Sequence, residues 1–173
     1  MIGAGAWGTA LAAVAQRAGR DVVLHAHEAE TAAAINANHE NTVFLPGIEL
    51  DTAIEATDNL THAAEGADAI VMVTPAQFLR PTLAALAPAS GTPVIICSKG
   101  IELDTGKLMN EVAAEAAPGA DLAVLSGPTF AAEVARGLPT AVTLACADAD
   151  MAARLATALS TPSFRPYTSN DLI

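Results

Sequence analysis

Three glycines at the head of the chain, Gly3, Gly5 and Gly8 in GAGAWG, stand directly before the apolar-periodic run Thr9 to Val14. This is the G-x-G-x-x-G spacing at the mouth of a helix. The first glycine permits a tight turn, the second lets backbone approach a pyrophosphate, and the third lets the helix pack closely on a strand. Unpaired N–H groups and the positive end of the helix dipole then face the phosphates. A bare match can also be a glycine-rich turn, so its weight rests on what accompanies it.

Three further segments carry residues that could meet an anion at strand ends. In Thr74-Pro75 the threonine can cap the next helix and the proline fits its first turn. Ser98-Lys99-Gly100 places an ammonium beside a flexible glycine. In Ser126-Gly127-Pro128-Thr129-Phe130, Ser126 or Gly127 is expected to cap, with Pro128 starting the turn. Each alone reads as ordinary helix capping. Four at one edge of a sheet suit a dianionic small molecule lying beside a dinucleotide. Lys99 follows a wholly apolar run and is one of only eight cationic residues. A solvated surface lysine is the ordinary alternative. Phe78, just after the Thr74-Pro75 strand end, could cover the nicotinamide side of a cofactor or sit in the core; both readings stay open.

At the end of the second strand, His25-Ala26-His27-Glu28 offers two options for a nucleotide ribose. An acid there favours the hydroxyls of NAD, a cation the extra phosphate of NADP, and a neutral imidazole accepts either. NAD or NADP therefore stays open. His25 and His27 would share a strand face, but zinc needs further ligands that the neighbourhood does not offer, so no metal is expected. Cys97 and Cys146 form no C-x-x-C pair and read as buried free thiols.

These residues need a scaffold, and the pattern of short Val/Ile/Leu runs alternating with alanine-rich helical stretches predicts one. The fold class expected is α/β, a Rossmann-like doubly wound, mainly parallel sheet with helices on both faces, over one domain at 1–173. Predicted strands are Asp21 to Ala26, Ala69 to Thr74, Pro93 to Cys97, Leu122 to Leu125, Pro139 to Ala145 and Phe164 to Tyr167. A first helix closes at Gly19. Further helices are expected over Glu28 to Asn38, Ala76 to Leu86, Gly106 to Ala116, Thr129 to Ala135 and Ala149 to Leu159. Asn41 to Leu50 reads as a loop broken by Pro46-Gly47.

The chain is 52% hydrophobic but only 3% aromatic, so its core must be built from Ala, Val, Leu and Ile. A formal net charge of −11 speaks against nucleic acid as a partner, because phosphate neutralisation requires surplus Lys and Arg. No run reaches the roughly 18 apolar residues of a membrane span, and no signal peptide is visible; a cytoplasmic location is expected. Only Met1 and Ile2 precede the first glycine, against a usual strand of about 5–6 residues. The end at Asn170 to Ile173 reads as the approach to another element. Both predict a piece of a longer enzyme, with an apolar docking surface near Phe164 to Ile173.

In their order along the chain, GAGAWGTALA (Gly3 to Ala12), FLPG (Phe44 to Gly47), SKG (Ser98 to Gly100) with the following IELDTG, and SGPTFAAEVARGLPTA (Ser126 to Ala141) are similar to the nucleotide-binding half of the NAD(P)-dependent glycerol-3-phosphate dehydrogenases. The resemblance implies interconversion of dihydroxyacetone phosphate and sn-glycerol 3-phosphate with NAD(P)(H), feeding glycerophospholipid synthesis. It places Ala6 and Trp7 against the cofactor pyrophosphate and His27 near the adenosine ribose. Lys99 would touch nucleotide and substrate, Gly127 and Thr129 the substrate, and Ala131 the cofactor. Where the family often has a lysine, this chain has Ala132, so a charge role there is not expected. The family's proton-transferring lysine and its phosphate-holding arginine–asparagine pair belong to a helical C-terminal domain that no segment here matches. The chain alone is thus expected to bind nucleotide with little turnover, and the full-length enzyme to be a candidate homo-oligomer. Two other readings compete: a related 6-phosphogluconate or hydroxyacid-type dehydrogenase domain, and a non-catalytic NAD(P)-sensing module in which Lys99, Gly127 and Thr129 would be superfluous.

Overall fold

Val94, Ile95 and Ile96 are consecutive and all buried, although successive strand side chains point to opposite faces. Such a run is stable only where helices cover both faces of a sheet. The computed structural model, which describes residues 1–173, has that arrangement. Its elements run α1 (Ala6–Arg17), β1 (Val22–His25), α2 (Ala29–Asn38), β2 (Glu40–Asn41), β3 (Leu45–Glu49), β4 (Ile54–Thr57), β5 (Ile70–Met72), α3 (Leu79–Leu86), β6 (Pro93–Ile96), α4 (Met109–Ala116), β7 (Asp121–Ser126), α5 (Ala131–Ala135), β8 (Thr140–Cys146), α6 (Ala149–Leu159) and β9 (Phe164–Ser169).

Residues 1–3 lie between β1 and β5. Ile2 bridges His25 on one side and Met72 on the other, in parallel. The amide of Ile2 donates to Val71 O at 2.8 Å and that of His25 to Met1 O at 2.8 Å. The sheet therefore reads β4, β1, residues 1–3, β5, β6, β7, β8, β9. All pairings in it are parallel except β7 with β8. The chain first winds outward through β1 to β4, then crosses back to β5 and winds the other way. That reversal makes a switch point beside residues 1–3, where a doubly wound sheet opens its ligand crevice.

Side-chain alternation divides the interior in two. Val71 and Ile95 join the larger cluster with α1, α5 and α6; Ile70, Met72, Val94 and Ile96 join the smaller one with Leu79 and Leu83 of α3 and Val112 of α4. Small side chains dominate the first: Ala10, Ala12, Ala13 and Ala15 of α1 are all buried, which lets that helix lie close to its neighbours.

Several elements depart from the sequence expectation. The stretch Asn41 to Leu50 is no loop: β2 and β3 form an antiparallel ribbon, with Leu45, Ile48 and Leu50 buried. The turn is residues 42–44; Gly47, at φ +73, sits within β3 where the register shifts between Glu40 and Asn41, and its amide donates to Glu40 Oε1 at 2.7 Å. Ile54 to Thr57 is a strand that the sequence reading omitted. It carries a single period-two alternation, Ile54 and Ala56 in and Glu55 out, too short to stand out. Asn36 holds it through both backbone groups of Ala56, each at 2.8 Å. The helix expected from Gly106 begins at Met109, because residues 101–108 are closed into a loop by an Ile101–Leu108 bridge. The helix expected from Ala76 opens as a 3-10 turn over Ala76–Phe78, and the one expected from Thr129 begins at Ala131.

Candidate functional site

The carboxyl ends of the strands at the switch point surround a cavity of about 460 Å³. Gly5, Ala6, Trp7 and Gly8 form one wall, Thr74 to Ala76 and Cys97 to Lys99 the floor and a second wall, and Ser126, Gly127, Thr129 and Ala131 the third. Four segments separated by up to 126 positions in the chain thus meet in one place. A larger cavity, about 570 Å³, opens near Asp21, Asp68 and Pro93. It lies at the amino ends of the strands, where parallel sheets do not hold their ligands.

The glycine loop is built by close approach. Gly3 has φ +113, and a Cβ there would press on the carbonyl of Val73 at 2.9 Å. A Cβ at Gly8 would run into the carbonyl oxygen of Gly3. A Cβ at Gly5 would meet nothing within 4 Å, so that side of the backbone faces open space. Gly5 is the N-cap of α1, and Thr9 N to Gly5 O at 3.0 Å is the first bond of that helix. The amides of Ala6, Trp7 and Gly8 precede it and are left for a ligand. Buried Asn41 fixes this loop from behind. Its Nδ2 donates to Ala4 O and to Thr9 Oγ1, both at 2.8 Å, while its Oδ1 accepts from Phe44 N at 3.1 Å.

Lys99 is the single cation on the cavity wall. Its Nζ donates to Gly127 O at 3.3 Å, joining the second wall to the third. Ser98 Oγ donates to Thr74 O at 2.5 Å. Gly127 is also required by packing, since a Cβ would meet Val142 Cγ1 at 2.9 Å. Burial pushes the Cys97 thiol up to about 12, so this residue of the cavity lining stays protonated. Cys146 is buried as well.

Of the residues singled out in the sequence, Gly5, Ala6, Trp7, Gly8, Lys99, Gly127, Thr129 and Ala131 converge on this cavity. Gly3 lies beneath it, against Val73. His27 is exposed just past the end of β1 and outside the lining. Phe78 is 61% exposed, which overturns its reading as core; it follows Ala76, which lines the cavity. The capping roles expected of Thr74, Ser126 and Gly127 are not realised. Pro75 and Phe130 occupy the N-cap positions, without side-chain bonds. Thr74 Oγ1 is instead buried with no partner. Ala132 packs against the larger core cluster and carries no charge role.

The sequence reading missed Asn41, Gln77 and Glu102. Gln77 binds the loop after Lys99 twice, through Nε2 to Ile101 O at 2.9 Å and from Leu103 N at 3.0 Å. The side chain of Glu102 accepts two bonds from Arg80 at 2.8 Å and one from Thr105 Oγ1 at 2.6 Å. Those bonds, Arg80 foremost, hold its carboxyl down to about 2. Beyond one near neighbour each, the partners of Asn41 and Glu102 lie 22 to 37 residues away, out of reach of any local signal. At the end of β1, burial lowers the His25 imidazole, which keeps it neutral near pH 7.

A crossed-over parallel sheet, a glycine turn at its switch point and free helix amides beside it define a Rossmann-type nucleotide-binding domain. The family model for the NAD-dependent glycerol-3-phosphate dehydrogenase N-terminus matches residues 1–152. The chain is 60% identical, over its whole length, to a glycerol-3-phosphate dehydrogenase [NAD(P)+] of Parvibaculum lavamentivorans and 58% identical to one of Paramagnetospirillum magneticum. It spans 52% and 63% of their lengths. Its fold matches the crystal structure of glycerol-3-phosphate dehydrogenase from Coxiella burnetii with a TM-score of 0.92 at 32% identity, over 99% of this chain and 53% of that one. The chain belongs to the NAD-dependent glycerol-3-phosphate dehydrogenase family.

Proposed function

We propose that this chain is the dinucleotide-binding half of an oxidoreductase that interconverts dihydroxyacetone phosphate and sn-glycerol 3-phosphate. The observation that carries the reading is the joint cavity: free helix amides on one wall, one ammonium on another, and the Ser126 to Ala131 segment on the third. A nucleotide sensor would need the first wall alone.

The residues present fit a dinucleotide. Open space at Gly5 admits a pyrophosphate where any side chain would project, and unpartnered Thr74 Oγ1 offers a buried polar contact within the lining. The amides of Ala6, Trp7 and Gly8 would hold the phosphates, assisted by the positive end of α1. His27 would lie toward the adenosine ribose, Ala131 against the cofactor, and Phe78 over the nicotinamide end. The bound dinucleotide supplies the hydride. Lys99 would touch both nucleotide and substrate, orienting the substrate and stabilising negative charge on its oxygens, an effect magnified where water is excluded. Gly127 and Thr129 hold the substrate beside it. Reduction of a ketone also requires a proton donor. In this reading the donor, and the groups that grip the substrate phosphate, come from a helical domain outside these residues.

Trp7 is the only tryptophan and lines the cavity, so its emission reports occupancy directly. Titration with NADH and NADPH is expected to quench it saturably for at least one of them, in the micromolar range. A flat response to both at millimolar concentration overturns the proposal.

A further inference from the structure

Lys99 is exposed, and its one hydrogen bond is long. A lysine side chain left to itself samples many rotamers, and fixing it carries an entropic cost. The loop that follows offers little apolar anchorage: Ile101 is 56% and Leu103 82% exposed. Gly100 has φ +141 and rests against Ala76, so the loop starts from a flexible joint. Something else must hold it.

Glu102 is the member of this loop that is withdrawn from solvent, at 8% exposure. An ionised carboxylate in that position is costly unless several donors meet it. Arg80 of α3 grips both oxygens and Thr105 caps one of them. Arg80 is braced in turn by Glu115 of α4 at 2.9 Å, and Lys107 pairs with the same carboxylate. Backbone bonds from Glu102 N to Lys107 O at 2.9 Å and from Gly106 N to Glu102 O at 2.8 Å close the loop. Gln77 completes the clamp from the turn that carries Pro75 and Ala76, the neighbouring part of the cavity wall.

We infer that Glu102 and Gln77 are positioning residues, which hold the 98–108 loop so that the Lys99 ammonium stays at the cavity. The inference rests on the reading of Lys99 given above. Neither residue touches the cavity itself, so each acts only through Lys99.

A double-mutant cycle tests this, because residues that act through one group lose their effect once that group is gone. Affinity for NADH is read from Trp7 emission, with melting temperature measured alongside. Lys99→Ala is expected to weaken binding about 10-fold, the loss of one charge-assisted contact. Glu102→Gln and Gln77→Ala are each expected to weaken it about 3- to 5-fold, and Glu102→Asp by less than Glu102→Gln. The doubles Lys99→Ala/Glu102→Gln and Lys99→Ala/Gln77→Ala should bind no more weakly than Lys99→Ala alone. Losses that multiply in the doubles, or single clamp variants that bind as the parent does while Lys99→Ala does not, overturn the clamp and leave the site reading standing. An unaltered Lys99→Ala overturns both. Should Glu102→Gln fail to fold, Gln77→Ala decides alone, since that side chain is exposed and its hydrogen bonds go only to the loop.

Discussion

Gly5 and Gly8 belong to one motif, yet their missing side chains serve different ends. At Gly8 a Cβ collides with the Gly3 carbonyl, so the residue is demanded by the packing of α1 on the sheet. At Gly5, with φ −67, alanine is conformationally acceptable and would only project into open space. Gly5→Ala is therefore expected to leave stability within about 0.5 kcal/mol of the parent and to weaken NADH binding by at least about 10-fold. Gly8→Ala should cost stability as well as binding. Thermal melts beside Trp7 titrations separate the two, and a Gly5→Ala variant that binds as the parent does removes the pyrophosphate assignment. The motif's existence was legible from spacing alone. Which glycine serves the ligand and which serves the fold was not, because that depends on atoms brought in from residues 3 and 73. Thr74 shows the reverse: an apt N-cap by type, it caps nothing and turns a buried hydroxyl toward no protein partner.

Among the elements, the β2–β3 ribbon is the one whose role the sequence concealed. Pro46-Gly47 announced a break, and it proved to be an irregularity within β3, in a ribbon seated on the larger core whose turn is residues 42–44. From a fully buried position Asn41 links it to the glycine loop and the start of α1 through two hydrogen bonds, and accepts a third from Phe44 N of its own turn. Replacing Asn41 by Leu removes those bonds, strands Phe44 N and leaves Ala4 O and Thr9 Oγ1 only the long 3.4 Å bond between them. The expected loss is about 2–4 kcal/mol, seen as a lower denaturant midpoint, together with weaker NADH binding as the loop loosens. A Leu variant that retains parental stability would show that the ribbon does not brace the loop. Arg17 performs a comparable service between helices. It donates to Ala135 O at 2.7 Å and Val134 O at 2.8 Å, satisfying carbonyls at the end of α5. Arg17→Met should cost about 1–2 kcal/mol in the same assay, and an unchanged midpoint would exclude that role.

For the molecule as a whole, the carboxylates outnumber the cations 19 to 8, and four of the eight cations, Arg17, Arg80, Lys99 and Lys107, bond to other segments of the chain. Arg80 and Lys107 serve the clamp, and their bonds lower Glu102 and Glu115. A carboxyl held below its ordinary value adds stability that is full above that value and is lost as pH falls through the folded one. For Glu102 the window runs from 4.5 down to about 2. His25, lowered by burial, begins the decline earlier, below about 6.5, because the unfolded chain takes up that proton first. His62, raised by Glu55, opposes the His25 loss over the same range. The melting temperature is thus expected to fall mainly below pH 4.5, and Glu102→Gln to be less stable at pH 7 but to lose less between pH 4.5 and 2. A variant whose profile parallels the parent's would show that the pair contributes nothing on acidification.

The sequence by itself determined the α/β class, most of the strands, the glycine loop and the strand-end segments, because each is written in local spacing and periodicity. Tertiary structure alone decided that β8 runs antiparallel to β7, that residues 1–3 sit at the switch point, and that Asn41, Gln77 and Glu102 brace the site. Those are facts about partners 17 or more positions apart, whose meeting depends on how the sheet closes rather than on any neighbouring residue.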